Sequence, residues 1–162
     1  MKDIFSLFKI RFADCDPVGH LNNVKYLEYM LNAREDHIAE RYGFTYEEYT
    51  KKTGCTWITV ENKIAYLKET RYNQIVKITS RTIALDSRTT TVEVLMTDPD
   101  SEIVYAVLWV KAIYFNMKTR KSDKHPKETM ELLSRFLVKI PFQNFEERST
   151  YLRHKNKEHS NA

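Results

Sequence analysis

Asp14, Asp16, His20, Asn22 and Asn23 lie within one short stretch, between an alternating segment and a long segment free of Pro and Gly. A carboxylate in such a place can act as a nucleophile or as a general base for water. His20 can orient that water or move protons. If a helix starts at Asn22 or Asn23, its first backbone N–H groups have no intrahelical acceptor and carry a partial positive charge. Those donors can hold a developing oxyanion. The same residue types also make an ordinary capping turn, since Asp and Asn precede many helices and Asp-x-Asp-Pro is a common turn. Two carboxylates and one histidine do not complete a closed zinc site, so no metal is expected. Cys15 sits between Asp14 and Asp16, which should raise its thiol pKa and make it a poor nucleophile.

The elements around this cluster follow from periodicity. Residues 4–12 alternate, with Ile4, Ser6, Phe8, Ile10 and Phe12 on one face, as in a strand. Asp14 to Gly19 breaks the pattern with turn residues. From 24 to 42 a helix is expected, with Val24, Leu27, Leu31, Ile38 and Tyr42 on one stripe. Tyr26, Met30 and Ala33 widen its apolar surface, so its first half should be buried on several sides, while REDHIAERY should emerge into water. Gly43 is a natural stop. Thr45 and Glu48 form a capping-box pair for a short helix at 45–52. Segments 55–67, 75–85, 89–97 and 103–116 are rich in β-branched and aromatic residues and separated by turns, which reads as an antiparallel meander. A last helix is expected at 127–138, ended by Pro141. One domain over 1–142 and a polar, loosely held tail over 143–162 complete the expected organisation.

The class is therefore α+β: a sheet curled around one buried helix, with a helical extension at the C-terminal side. Apolar residues on the opposite sheet face suggest a partner subunit. The chain has 162 residues, 42% apolar and 30% charged, with mean hydropathy −0.55. No apolar run is long enough for a membrane helix. The net charge of +4 is too mild to argue for nucleic acid, and suits a phosphorylated small molecule or a solvated tail equally. Two cysteines make no disulfide framework and point to a reducing, cytoplasmic setting.

The segment RFADCDPVGHLNNVKYLEYMLNAR closely resembles the opening of hotdog-fold thioesterases, the superfamily of 4-hydroxybenzoyl-CoA thioesterase and the acyl-ACP thioesterases. DCDPVG is similar to the DCDPAG-type turn of the former. GHLNNVKY is similar to the HVNNVKY-type segment of the latter. The resemblance covers about residues 3–116 and implies a hotdog fold, an antiparallel five-stranded sheet wrapped around a long central helix. It places Asp16 at the catalytic carboxylate and His20 at the histidine of the acyl-ACP branch. Val18 departs from that branch, which has a catalytic Asn there. Matching AYLKE to the next strand places Glu69 near a second carboxylate, with Glu61 as competitor. Asn23 and Tyr26 match the motif and would order the helix start and line the acyl pocket, together with Met30, Trp57 and Tyr66. Arg88 is a candidate for the nucleotide phosphates, as are Arg81, Lys111, Lys68 and Arg71.

The resemblance implies an acyl-CoA thioesterase that releases a free acid and CoA, with CoA as part of the substrate and no separate cofactor. The alternatives are an acyl-ACP thioesterase, a dehydratase on the same fold, and a non-catalytic acyl-binding module. A homodimer or homotetramer is implied in each case, with no nucleic-acid or membrane partner.

Overall fold

The alternating segments become strands and the interrupted ones become turns, as periodicity requires. The computed structural model describes residues 3–160. Strand β1 (Phe5–Lys9) leads through a 3₁₀ turn at Phe12–Asp14 to helix α1 (Asn23–Tyr42) and the short helix α2 (Tyr46–Thr53). Strands β2 (Cys55–Tyr66), β3 (Ile75–Leu85), β4 (Thr89–Thr97) and β5 (Val104–Asn116) follow, then the two-residue β6 (Lys121–Ser122), α3 (Lys127–Arg135) and α4 (Phe145–Ser160). The sheet order is β1-β3-β4-β5-β2, antiparallel throughout, with β6 paired to the end of β5. Among the described residues, no helix is long and apolar enough to cross a membrane.

Local signals set the helix ends. Gly43 takes φ 77°, a left-handed conformation that costs Gly little, and stops α1. Thr45 accepts from the Glu48 N–H at 3.1 Å, and Glu48 accepts from the Thr45 N–H at 3.0 Å, so the expected capping box is present.

Tyr26, Met30 and Ala33 of α1 are buried against Val76 and Ile78 of β3, Val94 and Met96 of β4, and Ala106 and Leu108 of β5. The sheet wraps one helix and buries its inner face on it. Two expectations for α1 fail. Val24, placed on the buried stripe, is 70% exposed. The half REDHIAERY does not simply emerge into water, because Arg34 and His37 are buried. They lie over polar positions of the inner sheet face. Arg34 donates to Ser80 Oγ and Thr82 Oγ1, while His37 bonds Ser80 Oγ through Nδ1 and Ser6 Oγ through Nε2. Hydroxyls on β1 and β3 therefore hold one face of this half in the interior, while Glu35, Asp36 and Glu40 stay exposed.

The segment expected to be a loose tail is a helix. Phe145 and Leu152 of α4 pack on the outer sheet face with Val104, Val107, Leu95 and Trp109. Asn156 bonds both the N–H and the C=O of Val104 at 2.9 and 2.7 Å. Part of the apolar outer face is thus covered by the chain's own helix. Residues 161–162 of the expected tail lie outside the described residues.

Candidate active site at the start of the central helix

The route from β1 to α1 is a tight loop. Asp16 N–H donates to the His20 carbonyl at 2.8 Å, and the Asp16 carbonyl accepts from Gly19 N–H at 3.0 Å. Gly19 sits at φ 82°, a conformation open to Gly and strained for other residues. Asp16 Oδ1 accepts from the N–H groups of Val18 (3.0 Å) and His20 (2.9 Å). Both bonds fall on one oxygen, so the turn fixes the carboxylate without using the other.

The loop is stitched to the segment after β2. Leu21 N–H donates to the Thr70 carbonyl and Tyr72 N–H to the Gly19 carbonyl, each at 3.0 Å. This stitching brings Glu69 to the loop. Asp16, His20, Asn23, Tyr26, Tyr66, Lys68 and Glu69 line one open cleft of about 280 Å³. Of the sequence-named site residues, Asp16, His20, Asn23, Tyr26 and Glu69 meet there. Glu61 does not. It sits at a bulge in β2, opposite Lys111, and lines a separate groove under residues 137–145. The choice between the two glutamates as neighbour of Asp16 therefore falls to Glu69, which pairs with Arg71 at 3.6 Å.

Arg88 is not brought to the cleft. It lies in the β3–β4 turn, with its N–H on Asp86 and its guanidinium on Ser122. The cleft adjoins the other end of β3, about 30 Å away along an extended strand. Among the other basic candidates, Lys68 lines the cleft, whereas Arg81 is bound to Glu93. Trp57 and Met30 are also elsewhere: Met30 is fully buried core, and Trp57 lines a cavity beneath the C-terminal half of α1.

The helix start differs from a plain cap. Asn22 occupies the N-cap position, yet its side chain makes no capping bond. The first-turn N–H groups of Asn23 and Val24 are thus left to another acceptor. Tyr66 donates to the Asn23 carbonyl at 3.1 Å and packs edge-on against Tyr26, 5.3 Å between rings. Tyr26 accepts from both the N–H and the hydroxyl of Thr70 at 3.0 Å. Thr70 is fully buried, and no motif in the sequence marks it. Cys15 behaves as expected: burial and the neighbouring Asp16 and Asp14 raise its thiol pKa.

A family model described as the thioesterase-like superfamily matches residues 10–133, which span the loop, α1 and the whole sheet after β1. The chain belongs to that superfamily. Solved structures similar to this thioesterase-like chain share the hotdog fold. A hypothetical protein from Staphylococcus aureus, characterised in complex with CoA, is 16% identical with a TM-score of 0.76, over 88% of this chain and 90% of that one. A 1,4-dihydroxy-2-naphthoyl-CoA thioesterase from Synechocystis is 10% identical with a TM-score of 0.72, over 82% and 96%. A probable thioesterase from Escherichia coli is 22% identical with a TM-score of 0.72, over 83% and 98%. At these identities the likeness is one of fold. No match was found among curated protein sequences.

Proposed function

We propose that this chain is an acyl-CoA thioesterase whose reaction is centred on Asp16. The observation that carries the reading is the Asp16 turn itself, set beside an uncapped helix start in a cleft shared with His20 and Glu69. The superfamily match over the same residues supports hydrolysis of a thioester. The bound CoA of the Staphylococcus aureus relative supports a CoA-type carrier.

In this reading the carbonyl oxygen of the thioester sits at the first turn of α1, where backbone N–H groups and the helix dipole stabilise the oxyanion. The Asp16 carboxylate takes a proton from water, which attacks the carbonyl carbon. Alternatively it attacks directly, giving an anhydride that water then cleaves. Either way the C–S bond breaks, the electron pair leaves on sulfur, and the products are the acid and CoA. Thiolate is a good leaving group, so no Ser or Cys nucleophile is needed. His20 and Glu69 position water. A second copy of the chain completes the site beside β2, an end strand that carries exposed Ile58 and Val60.

The test is release of CoA, followed with a thiol reagent over short, long and aromatic acyl-CoAs. Asp16→Asn should lower kcat/KM by about 10²–10⁴. Asn retains an Oδ1 acceptor for Val18 and His20, so the thermal midpoint should move little. Full activity in that variant rejects the site, and folded wild type inert on every acyl-CoA rejects the reading.

A further inference from the structure

Among the described residues two arginines are buried, each 7% exposed, and they are partnered very differently. Arg148 makes a bidentate pair with the buried Glu93 carboxylate, 2.9 Å for each bond. Arg34 contacts only neutral groups: Ser80 Oγ at 3.2 Å, Thr82 Oγ1 at 3.3 Å, and the Tyr42 ring at 6.0 Å. No ion pair among the described residues includes it. A guanidinium stays charged at any ordinary pH, and burying it away from an anion is costly.

Arg34 also faces space. It lines a cavity of about 290 Å³ under the C-terminal half of α1, with Thr59, Thr82, Thr90, Tyr42 and Tyr46 as further polar groups. The remaining wall is mainly apolar, formed by Leu31, Ile38, Trp57, Val92, Val110 and Leu133. Glu35 lines it too, but is exposed and lies beyond ion-pair distance of Arg34. The cavity and the Asp16 cleft share no lining residue. Arg34 is about 16 Å along α1 from Asn23. The volume is about twice that of a cavity of roughly 150 Å³ that holds benzene.

We infer that this cavity binds a small apolar molecule with a terminal carboxylate, the carboxylate on Arg34 and the apolar body against Trp57, Val92 and Val110. The size fits one aromatic ring or a six- to eight-carbon chain. The ligand is either a free acid or the carboxylate-bearing far end of an acyl thioester. Only the second source rests on the thioesterase reading.

The first arm is calorimetry on the intact protein with phenylacetate, hexanoate and octanoate, each against its neutral amide. At least one acid should bind tenfold or more tightly than its amide, and Arg34→Gln should erase that preference. The wild-type comparison stands by itself if the variant does not fold. No binding, or equal binding of acid and amide in all three pairs, overturns the inference. The second arm compares turnover of dodecanedioyl-CoA with dodecanoyl-CoA, whose chain is long enough to run from the first turn of α1 to Arg34. A tenfold preference for dodecanedioyl-CoA, lost in Arg34→Gln, assigns the acyl end as the source. Acid binding without that preference assigns a free acid. Absence of all thioester turnover rejects the enzyme reading and leaves the binding result intact.

Discussion

The Tyr29 hydroxyl on α1 donates to the Asp14 carboxylate and accepts from the Arg11 N–H, so one ring ties both ends of the 3₁₀ turn to the helix. That tie fixes the approach to Asp16. Burial and the hydrogen bond to Asp14 both raise the Tyr29 pKa, so the hydroxyl stays a donor.

Tyr29→Phe removes the donor and keeps the ring. A hydrogen bond to a charged acceptor contributes about 1.5–3 kcal/mol, and urea denaturation should show a loss near the lower end. Because small displacements of a reacting group are costly, kcat/KM for thioester hydrolysis should fall about tenfold. An unchanged kcat/KM would mean that the backbone bonds at Asp16 hold the loop unaided.

His37 predicts an acid sensitivity of the fold. Burial, then the nearby Arg34 guanidinium, lower its pKa from 6.5 to about 4, with Asp36 opposing. The folded state therefore favours neutral imidazole. Its contribution is complete above pH 6.5 and is lost as pH falls toward 4, because the unfolded chain binds the proton first. The loss is at most about 3 kcal/mol. His125, also lowered by burial, acts in the same direction. The urea midpoint should fall between pH 7 and 4.5, and His37→Gln should flatten that fall.

Arg148→Met leaves the Glu93 carboxylate buried with Trp109 Nε1 at 2.9 Å and Arg81 at 3.1 Å as its remaining partners. Breaking a buried pair from one side costs about 3–5 kcal/mol. Limited proteolysis should then cut within 143–160. The double variant Glu93→Gln with Arg148→Met should recover part of the loss, since it removes the stranded charge.

Glu69→Gln and Glu61→Gln separate the two candidate second carboxylates. Glu69 lines the Asp16 cleft and Glu61 lines the groove on the other side of the sheet. Acyl-CoA hydrolysis should fall about tenfold or more in the first variant. It should stay within twofold in the second. The reverse pattern would move the reaction off the cleft.

What could be read in advance was local or periodic. Gly43 and the Thr45–Glu48 box act within one turn, and the strands show in alternation. Asp16 and His20 stood out by residue type and spacing and Glu69 entered only through a resemblance; the pairing of 19–21 with 70–72 brings the third to the first two. Arg34 and His37 were misread because their partners Ser6, Ser80 and Thr82 lie far away in sequence. Helix α4 was missed for the same reason. Its composition is polar, and Arg148 and Asn156 are suited to burial only by Glu93 and the Val104 backbone.

The sheet order also sets an order of assembly. Among the described residues, strand β2 pairs with β5 alone, and β1 with β3 alone. During synthesis β5 follows β2 by about 40 residues, or about 2–8 s at 5–20 residues per second. Over that interval β3 and β4 emerge and become available to β1 and α1, while β2 still lacks its strand partner. The topology therefore predicts that β3, β4 and β5 form the folding nucleus and that β2 docks last. A newborn chain would carry Ile58 and Val60 on an unpaired strand throughout that wait.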